Sequence, residues 1–425
     1  MMRTSRIPGF YNLSVAERLS RIVEHAGLTE EEAKLLSKEG NLSLDIADRM
    51  VENVIGTMAY PFSVALNFLI DGKEFIIPMV IEETSVVAAA SNAAKMTRAK
   101  GGIFTDATDP IMIGQVQLTG VPNPFTAKIK ILEHRDEILK LANDQDPVLV
   151  KFGGGARDVE VKVVDSPVGP MVITHLLVDV RDAMGANAVN TMCEAVAPLI
   201  ERITGGKAYL RIISNLADKR LVRARTTVAK EEVGGEEAVD AIVKAWAFAA
   251  SDPYRAATHN KGIMNGVIAV ALATGQDHRA IEAGAHAYAA RTGRYMPLSV
   301  WEKDENGDLA GTLEMPMAVG LIGGATKTHP VARIAIKILG VTTATELARV
   351  MGAVGLAQNL AALRALALEG IQAGHMRLHA RNIAVMAGAT GGLIEKVAEQ
   401  MIKERKIRFD RAQELVKEFT EKKEQ

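Results

Sequence analysis

The chain has 425 residues, 48% apolar and 24% charged, which is enough for two or three domains around a sizeable core. Its 50 Lys plus Arg stand against 51 Asp plus Glu, so net charge gives no pointer to nucleic acid or a membrane surface. A single cysteine, Cys193, excludes an intramolecular disulfide and any multi-cysteine zinc or iron–sulfur centre.

Aromatic residues are scarce at 4%, while Ala, Val, Ile and Leu abound. That favours helices and Val/Ile strands packed by small side chains, an α/β or α+β enzyme rather than an all-β sandwich. Met1 to Phe10 carries Arg3 and Arg6 but no apolar core of a signal peptide, so no secretory signal is expected. No run of ~18 apolar residues is uninterrupted. Gly352 to Ala367 comes closest, broken by Gln358, Asn359 and Arg364. A soluble, cytoplasmic protein is the expectation.

In chain order, Ser14 to Ala26 reads as a helix with Ser14 as cap and Glu17 at the capping-box spacing. Thr29 to Lys38 repeats the pattern with Thr29 and Glu32, and Ile46 to Val54 looks helical, ending at Gly56. Val64 to Leu69 and Phe75 to Val80, joined by Asp71-Gly72, predict a β-hairpin, because Asp-Gly suits a positive-φ turn. Ser85 to Lys100 is a small-residue helix closed by Gly101-Gly102. Ile113 to Leu118, Ala127 to Leu132, Val159 to Val164 and Met171 to Val180 are candidate strands, with a helix from Arg135 to Asn143 between them. Together they suggest a small α/β domain inserted over 110–216. Helical patterns return at Glu236 to Ala250, Ile281 to Thr292 and Ala344 to Leu368. Lys403 to Gln425 reads as a charged, amphipathic, weakly apolar surface helix with Phe409, Leu415, Val416 and Phe419 as its apolar positions.

Several short segments concentrate polar chemistry. Asp182-Ala183-Met184-Gly185-Ala186-Asn187 follows a strand and opens a helix, so it either presents backbone N–H groups to a phosphate or is simply a tight connection. Gly320 to Thr326, with Gly323, has the same two readings. Asp252 to Gly262 gathers Arg255, His259, Asn260 and Lys261 into an expected loop, an anion site or a solvated one. His375 lies between a glycine and an apolar residue, where a packed histidine competes with a catalytic one; Glu82-Glu83 has surface charge as its plain reading.

Taken together, Glu52-Asn-Val-Ile-Gly56, Glu83 with Ser85, Asp182 to Asn187, His259-Asn-Lys261-Gly262, Gly323-Gly-Ala-Thr326 and Gly374-His375-Met376 occur in one order and spacing. In that the chain resembles the soluble, class II 3-hydroxy-3-methylglutaryl-CoA (HMG-CoA) reductases from about Arg6 onward. The resemblance implies an α+β fold. A large, mostly helical substrate domain (1–109 and 217–375) would carry an inserted NAD(P)-binding domain (110–216) and end in a C-terminal helical flap (376–425). It implies a four-electron, two-hydride interconversion of HMG-CoA with mevalonate plus CoA, through mevaldyl-CoA and mevaldehyde, in isoprenoid synthesis or in mevalonate catabolism.

Residue by residue, the resemblance makes Glu83, Lys261, Asp277 and His375 the catalytic set. The chemistry suits these types: an ammonium steadies an oxyanion, an imidazole protonates a leaving thiolate, and carboxyl groups move and tune protons. Asp277 beside Glu83 and Lys261 would raise the glutamate and hold the lysine charged. Ser85, Arg255 and Asn265 would bind the hydroxymethylglutaryl group. Asp182 to Asn187, Asn215, Gly323 and Thr326 would hold the cofactor. Asp146 falls where NAD-preferring relatives carry an acid that bonds the ribose and repels a 2′-phosphate, so NADH is expected over NADPH, with Lys151 and Arg157 close enough in sequence to soften the preference. Thr84 departs from the proline of many relatives. No metal is implied. A homodimer with interfacial active sites is implied, with a trimer of dimers as the larger assembly, and a flap hinged at His375.

Two other classes remain open at this stage. An acyl-CoA reductase working through a cysteine thioester would need Cys193, which lies in an apolar stretch suited to a buried thiol. A non-catalytic nucleotide- or CoA-binding regulator on the same fold would have no use for the Glu, Lys, Asp and His set.

Overall fold

The computed structural model describes residues 4–369 and 371–421; the side chains of 325, 369, 371–378 and 421 lie outside the description. Ten strands are described: β1 Phe62–Ile70, β2 Lys73–Val80, β3 Ile103–Ala107, β4 Ile111–Thr119, β5 Gly155–Val164, β6 Met171–Asp179, β7 Lys207–Ile213, β8 Leu221–Val228, β9 Ser299–Lys303 and β10 Leu309–Pro316. They form two sheets, ordered β2-β1-β3-β8-β10-β9 and β5-β6-β4-β7.

Local chemistry sets the early elements. Both predicted capping boxes form: the Ser14 hydroxyl accepts from the Glu17 N–H, and Thr29 from Glu32, each acid accepting from the cap N–H in return. Asp71 (φ 50°) and Gly72 (φ 77°) turn β1 into β2. The helix Leu44–Met50 stops short of the predicted end, and the Glu52–Gly56 motif is not helical. The helix Val86–Thr97 then crosses over to place β3 parallel to β1, its fully buried Ala90, Ala93 and Ala94 allowing close approach.

β3 and β8 are antiparallel neighbours, and the whole second sheet lies between them in sequence. Thr108 ties exit to entry: its N–H and hydroxyl donate to the carbonyls of Leu221 and Lys219, and its hydroxyl accepts from the Leu221 N–H at 2.8 Å. The second sheet has its own core, with Met112, Leu176, Val178, Cys193 and Ile200 buried between the strands and the helix Ala186–Thr204. The larger core surrounds the helix Ala344–Arg364, which packs against Pro253–Ala273 and the first sheet. The segment Ala344–Leu368 is long and apolar enough to cross a membrane, yet about two-thirds of its most apolar 18-residue stretch is buried inside the protein, which explains its composition.

Three expectations are corrected. Ala127 to Leu132 is not a strand but part of the helix Pro124–Glu133; Ala127 and Ile131, four apart, are its buried residues, and Pro124 at the first turn was the overlooked start signal. Asp252 to Gly262 is not a loop. Asp252 caps the Arg255 N–H at 2.8 Å and Pro253 opens the long helix Pro253–Ala273. The charged tail is not one weakly apolar helix. Helices Gly392–Glu404 and Phe409–Glu421, broken at Arg405 (φ 54°), pack with Ile371–Met386 around Ala380, Ala384, Val397, Met401, Ala412 and Leu415. Arg411 bridges the last helix to Glu404 of the preceding one (2.7 Å) and pairs with Glu414 (2.8 Å) and Glu418 (2.9 Å) along its own.

Candidate active site

The fold brings Glu83 and Lys261 together from 178 positions apart. The Lys261 Nζ donates to the Glu83 Oε2 at 3.0 Å, with both side chains open to solvent. Glu83 sits in the turn after β2, just before Ser85, whose backbone is left-handed (φ 74°) as it starts the helix Val86–Thr97. A serine there is strained by roughly 1–3 kcal/mol, a cost that active-site turns commonly carry.

Lys261 is aimed by the residues before it. Asn260 is fully buried, donating to the Met296 carbonyl (2.9 Å) and accepting from the Leu298 N–H (2.9 Å). His259 is also buried, and its Nε2 meets the Ser299 hydroxyl at 2.7 Å. Ser299 and Trp301 both donate to Asn359 Oδ1 on the central helix, each at 2.7 Å. Burial, helped by nearby Arg255, pushes His259 down to about 3, so it stays neutral. The motif histidine is therefore an anchor, and only the lysine of the pair His259–Lys261 reaches the surface.

Arg255 is half-buried, and burial lowers its pKa. Among the described residues no carboxylate lies within ion-pair distance of it. A partly desolvated guanidinium without an acid partner is suited to grip an incoming carboxylate in two bonds. Asn265, one turn beyond Lys261 on the same helix, is also half-buried. Asp277 is held differently from the expectation: it caps the Ala280 N–H at 3.1 Å and pairs with Arg279 at 3.1 Å rather than with Lys261. The side chain of His375 lies outside the described residues, and the helix Ile371–Met386 carries its backbone.

The two glycine turns, separate in sequence, meet in space. Gly320 packs so closely that a Cβ there would lie 2.4 Å from the Met184 N, and Ala183 forms a parallel bridge with Ile322. The carbonyl of Asp182 accepts from the N–H of Leu321 (2.8 Å), and its carboxylate accepts from Ala344 (2.7 Å), the first residue of the central helix. Gln276 was missed by the sequence reading; it accepts from the Gly320 N–H (2.8 Å) and donates to the Thr326 hydroxyl (3.2 Å). Thr326 itself is buried and donates to the Thr274 carbonyl at 3.1 Å. Arg220, equally unannounced by any motif, is buried beneath the junction.

Gly185 (φ 103°) starts the helix Ala186–Thr204 with no side-chain cap, which leaves its first N–H groups without a capping side chain, and Asn187 is exposed there. Gly323 and Gly324 beside it have open space where side chains would be. These features fit the diphosphate of a dinucleotide. Asn215 is exposed, and its carbonyl packs against Gly284. Asp146 caps the Leu149 N–H at 2.9 Å with one oxygen, and Gly154 seats the following loop against the Asp179 carbonyl at the end of β6. Arg157 is committed to Asp179 (3.3 Å), whereas Lys151 is exposed with no partner among the described residues. No cluster of His, Cys, Asp or Glu suited to a metal occurs among the described residues. Cys193 is fully buried, and burial pushes its thiol up to about 12, which removes it as a nucleophile.

The family model for hydroxymethylglutaryl-coenzyme A reductase matches residues 14–380. A 3-hydroxy-3-methylglutaryl-coenzyme A reductase of Archaeoglobus fulgidus is 62% identical over 413 residues, covering 97% of this chain and 94% of that protein. The reductase structure from Streptococcus pneumoniae superposes with a TM-score of 0.84 at 41% identity, covering 97% of this chain and 99% of that one. A class II reductase of the same organism, bound to NADPH in open conformations, gives 0.82 at 43% identity over 84% and 99%. With agreement of this extent in sequence and structure, around an ammonium–carboxylate pair contributed by Lys261 and Glu83, the chain belongs to the class II HMG-CoA reductases.

Proposed function

We propose that the Glu83–Lys261 pair is the centre at which this chain interconverts HMG-CoA with mevalonate and CoA, and the 3.0 Å contact between them is the observation that carries the reading. The activity itself is the family's, and it uses a nicotinamide cofactor. When bound, the cofactor supplies a hydride to the thioester carbon and, in a second round, to the aldehyde carbon.

The chain's residues handle the charge and the protons. Lys261 faces the carbonyl oxygen as negative charge builds there, a task worth roughly 10²- to 10³-fold in rate for one well-placed donor. Arg255 binds the free carboxylate of the substrate, with Ser85 and Asn265 on its polar groups. Breaking the C–S bond releases a thiolate; by resemblance His375 gives it a proton. Glu83, hydrogen-bonded to Lys261 as a carboxylate, must first take up a proton from solvent, and in that protonated form it supplies the proton that turns the second oxyanion into an alcohol. Asp277 keeps its place in the set by resemblance, and a role beside Lys261 requires it to leave Arg279.

The diphosphate of the cofactor would lie on the turn of Asp182, Ala183, Met184, Gly185, Ala186 and Asn187, with Gly323, Thr326 and Asn215 around it. NADH is the preferred cofactor and NADPH the lesser one. Asp146 supports this, since its second carboxylate oxygen repels a 2′-phosphate, and so does the commitment of Arg157 to Asp179, which leaves Lys151 alone to compensate. The chain works as a cytoplasmic homodimer, or a trimer of such dimers, with active sites at the interface. Residues 376–425 act as a flap; a core made only of residues from 380 onward supports their moving as a unit.

Following the absorbance of the reduced nicotinamide with HMG-CoA and each cofactor in turn tests the proposal. Faster oxidation of NADH is expected. Oxidation of neither cofactor would end it, and equal rates would remove the discriminating role of Asp146.

A further inference from the structure

Arg220 has no role in any motif, yet its side chain is buried behind the two glycine turns and bonded to both. It is 5% exposed, on the connection into β8. Its Nη1 donates to the carbonyls of Ala183 (3.1 Å) and Met184 (3.3 Å) on one turn, and its Nη2 to Val319 (2.6 Å) at the start of the other. Among the described residues no carboxylate lies within ion-pair distance of it. Asp179 is taken by Arg157 and Arg181, and Asp182 by the Ala344 N–H. Burial lowers its pKa to about 10, which still leaves it charged at neutral pH.

A guanidinium buried against neutral carbonyls is costly, because peptide oxygens replace only part of its hydration. Hydrogen bonds alone do not account for such a choice, since a neutral donor could serve the same carbonyls. What a cation adds is a field that reaches past the turn. Around this junction three guanidinium groups, Arg157, Arg181 and Arg220, face two carboxylates, Asp179 and Asp182. The excess positive charge lies behind the helix start at Gly185, where N–H groups and the helix dipole already favour an anion.

We propose that Arg220 is a positioning residue for the cofactor's diphosphate: it locks the 182–187 turn to the 319–323 turn and supplies the buried charge that the diphosphate neutralises. This rests on the reading that the cofactor binds at that turn. Arg220 touches no substrate; it acts through the backbone of Ala183, Met184 and Val319.

Binding of NADH, ADP-ribose and adenosine is measured by titration on the full chain, with HMG-CoA as a control ligand. R220M should weaken NADH and ADP-ribose by roughly tenfold or more, since a charge-assisted interaction is lost. Adenosine, which lacks the diphosphate, and HMG-CoA should change little. R220K keeps the charge and loses the fork, so its loss should be smaller, with faster amide hydrogen exchange in both turns and none in the Pro253–Ala273 helix. If R220M does not fold, R220K decides: unchanged ADP-ribose affinity and unchanged exchange overturn the proposal. Equal losses in R220K and R220M overturn the charge component, and a parallel loss of HMG-CoA binding overturns the local role. N187D, which places a carboxylate at the helix start, separates the two readings. Should N187D leave ADP-ribose binding intact, the cofactor binds elsewhere and both fail. Should N187D impair it while the Arg220 variants do not, only the role of Arg220 falls.

Discussion

Replacing Cys193 by alanine distinguishes direct hydride attack on the thioester from an enzyme-bound acyl group. The thiol is fully buried against Gly114 of β4, and with a pKa near 12 only roughly one molecule in 10⁵ carries a thiolate at neutral pH. Removing one buried heavy atom costs about 1 kcal/mol, in the range of Ile→Val changes. Turnover should therefore stay within about twofold of the parent while the melting temperature of the second-sheet unit falls slightly. Gly114→Ala tests the same packing from the other side. Its Cβ would lie 2.2 Å from the Cys193 sulfur and 2.7 Å from Val189 Cγ1, an overpacking worth about 1–3 kcal/mol. In the double variant the nearer clash is gone, so the two losses should not add: a favourable coupling of about 1 kcal/mol offsets the Cys193→Ala cost, and the double variant should melt level with Gly114→Ala alone rather than below it. Circular dichroism melts and steady-state oxidation of the reduced cofactor read both effects. A fall in kcat of more than about 100-fold in Cys193→Ala, with the melt nearly unchanged, would refute the reasoning and put the thiol in the mechanism.

Lys261→Met should lower kcat by about 10²- to 10³-fold while the HMG-CoA dissociation constant, measured by calorimetry, moves only a few-fold; equal losses in both would mean the lysine serves binding. Gly320→Ala drives a Cβ to within 2.4 Å of a backbone nitrogen that cannot yield as a side chain would, so NADH affinity should drop at least tenfold with HMG-CoA affinity kept. Burial pulls the Glu74 carboxyl upward, but hydrogen bonds from Arg98 and Ser5 outweigh it and hold the group at about 2. Its stabilisation, on the order of 2 kcal/mol, is complete above its ordinary value of 4.5 and is lost as pH falls from there toward about 2. Melts from pH 6 to pH 3 should show that loss in the parent and not in Glu74→Gln, whose curve would start lower and stay flatter.

Local signals were legible wherever a short stretch of chain fixes its own conformation. Ser14 with Glu17, Thr29 with Glu32 and Asp71-Gly72 form the caps and the turn that their spacing predicts, because the interacting groups are at most a few residues apart. Ala127 to Leu132 was misread because a six-residue apolar run fits a strand and a helix equally, and the tie was broken by Pro124 and by packing of Ala127 and Ile131. The motif around Lys261 was recognised as chemistry but misplaced on a loop. Its polar density, which suggested solvent, instead reflects Asn260 and His259 reaching inward to the 296–301 segment.

The sequence alone carried the family, the helical character of the chain and the unreactive setting of its one cysteine, and through the resemblance it nominated the Glu, Lys, Asp and His set. These depend on residue types in a fixed order, which the chain displays without folding. Only the tertiary structure brought Glu83 to Lys261, turned Asp277 toward Arg279, joined the two glycine turns and placed Arg220 beneath them. Such contacts span from two to 178 positions and depend on rotamers, burial and close backbone approach. No spacing rule encodes them, because each is the outcome of the whole core packing at once.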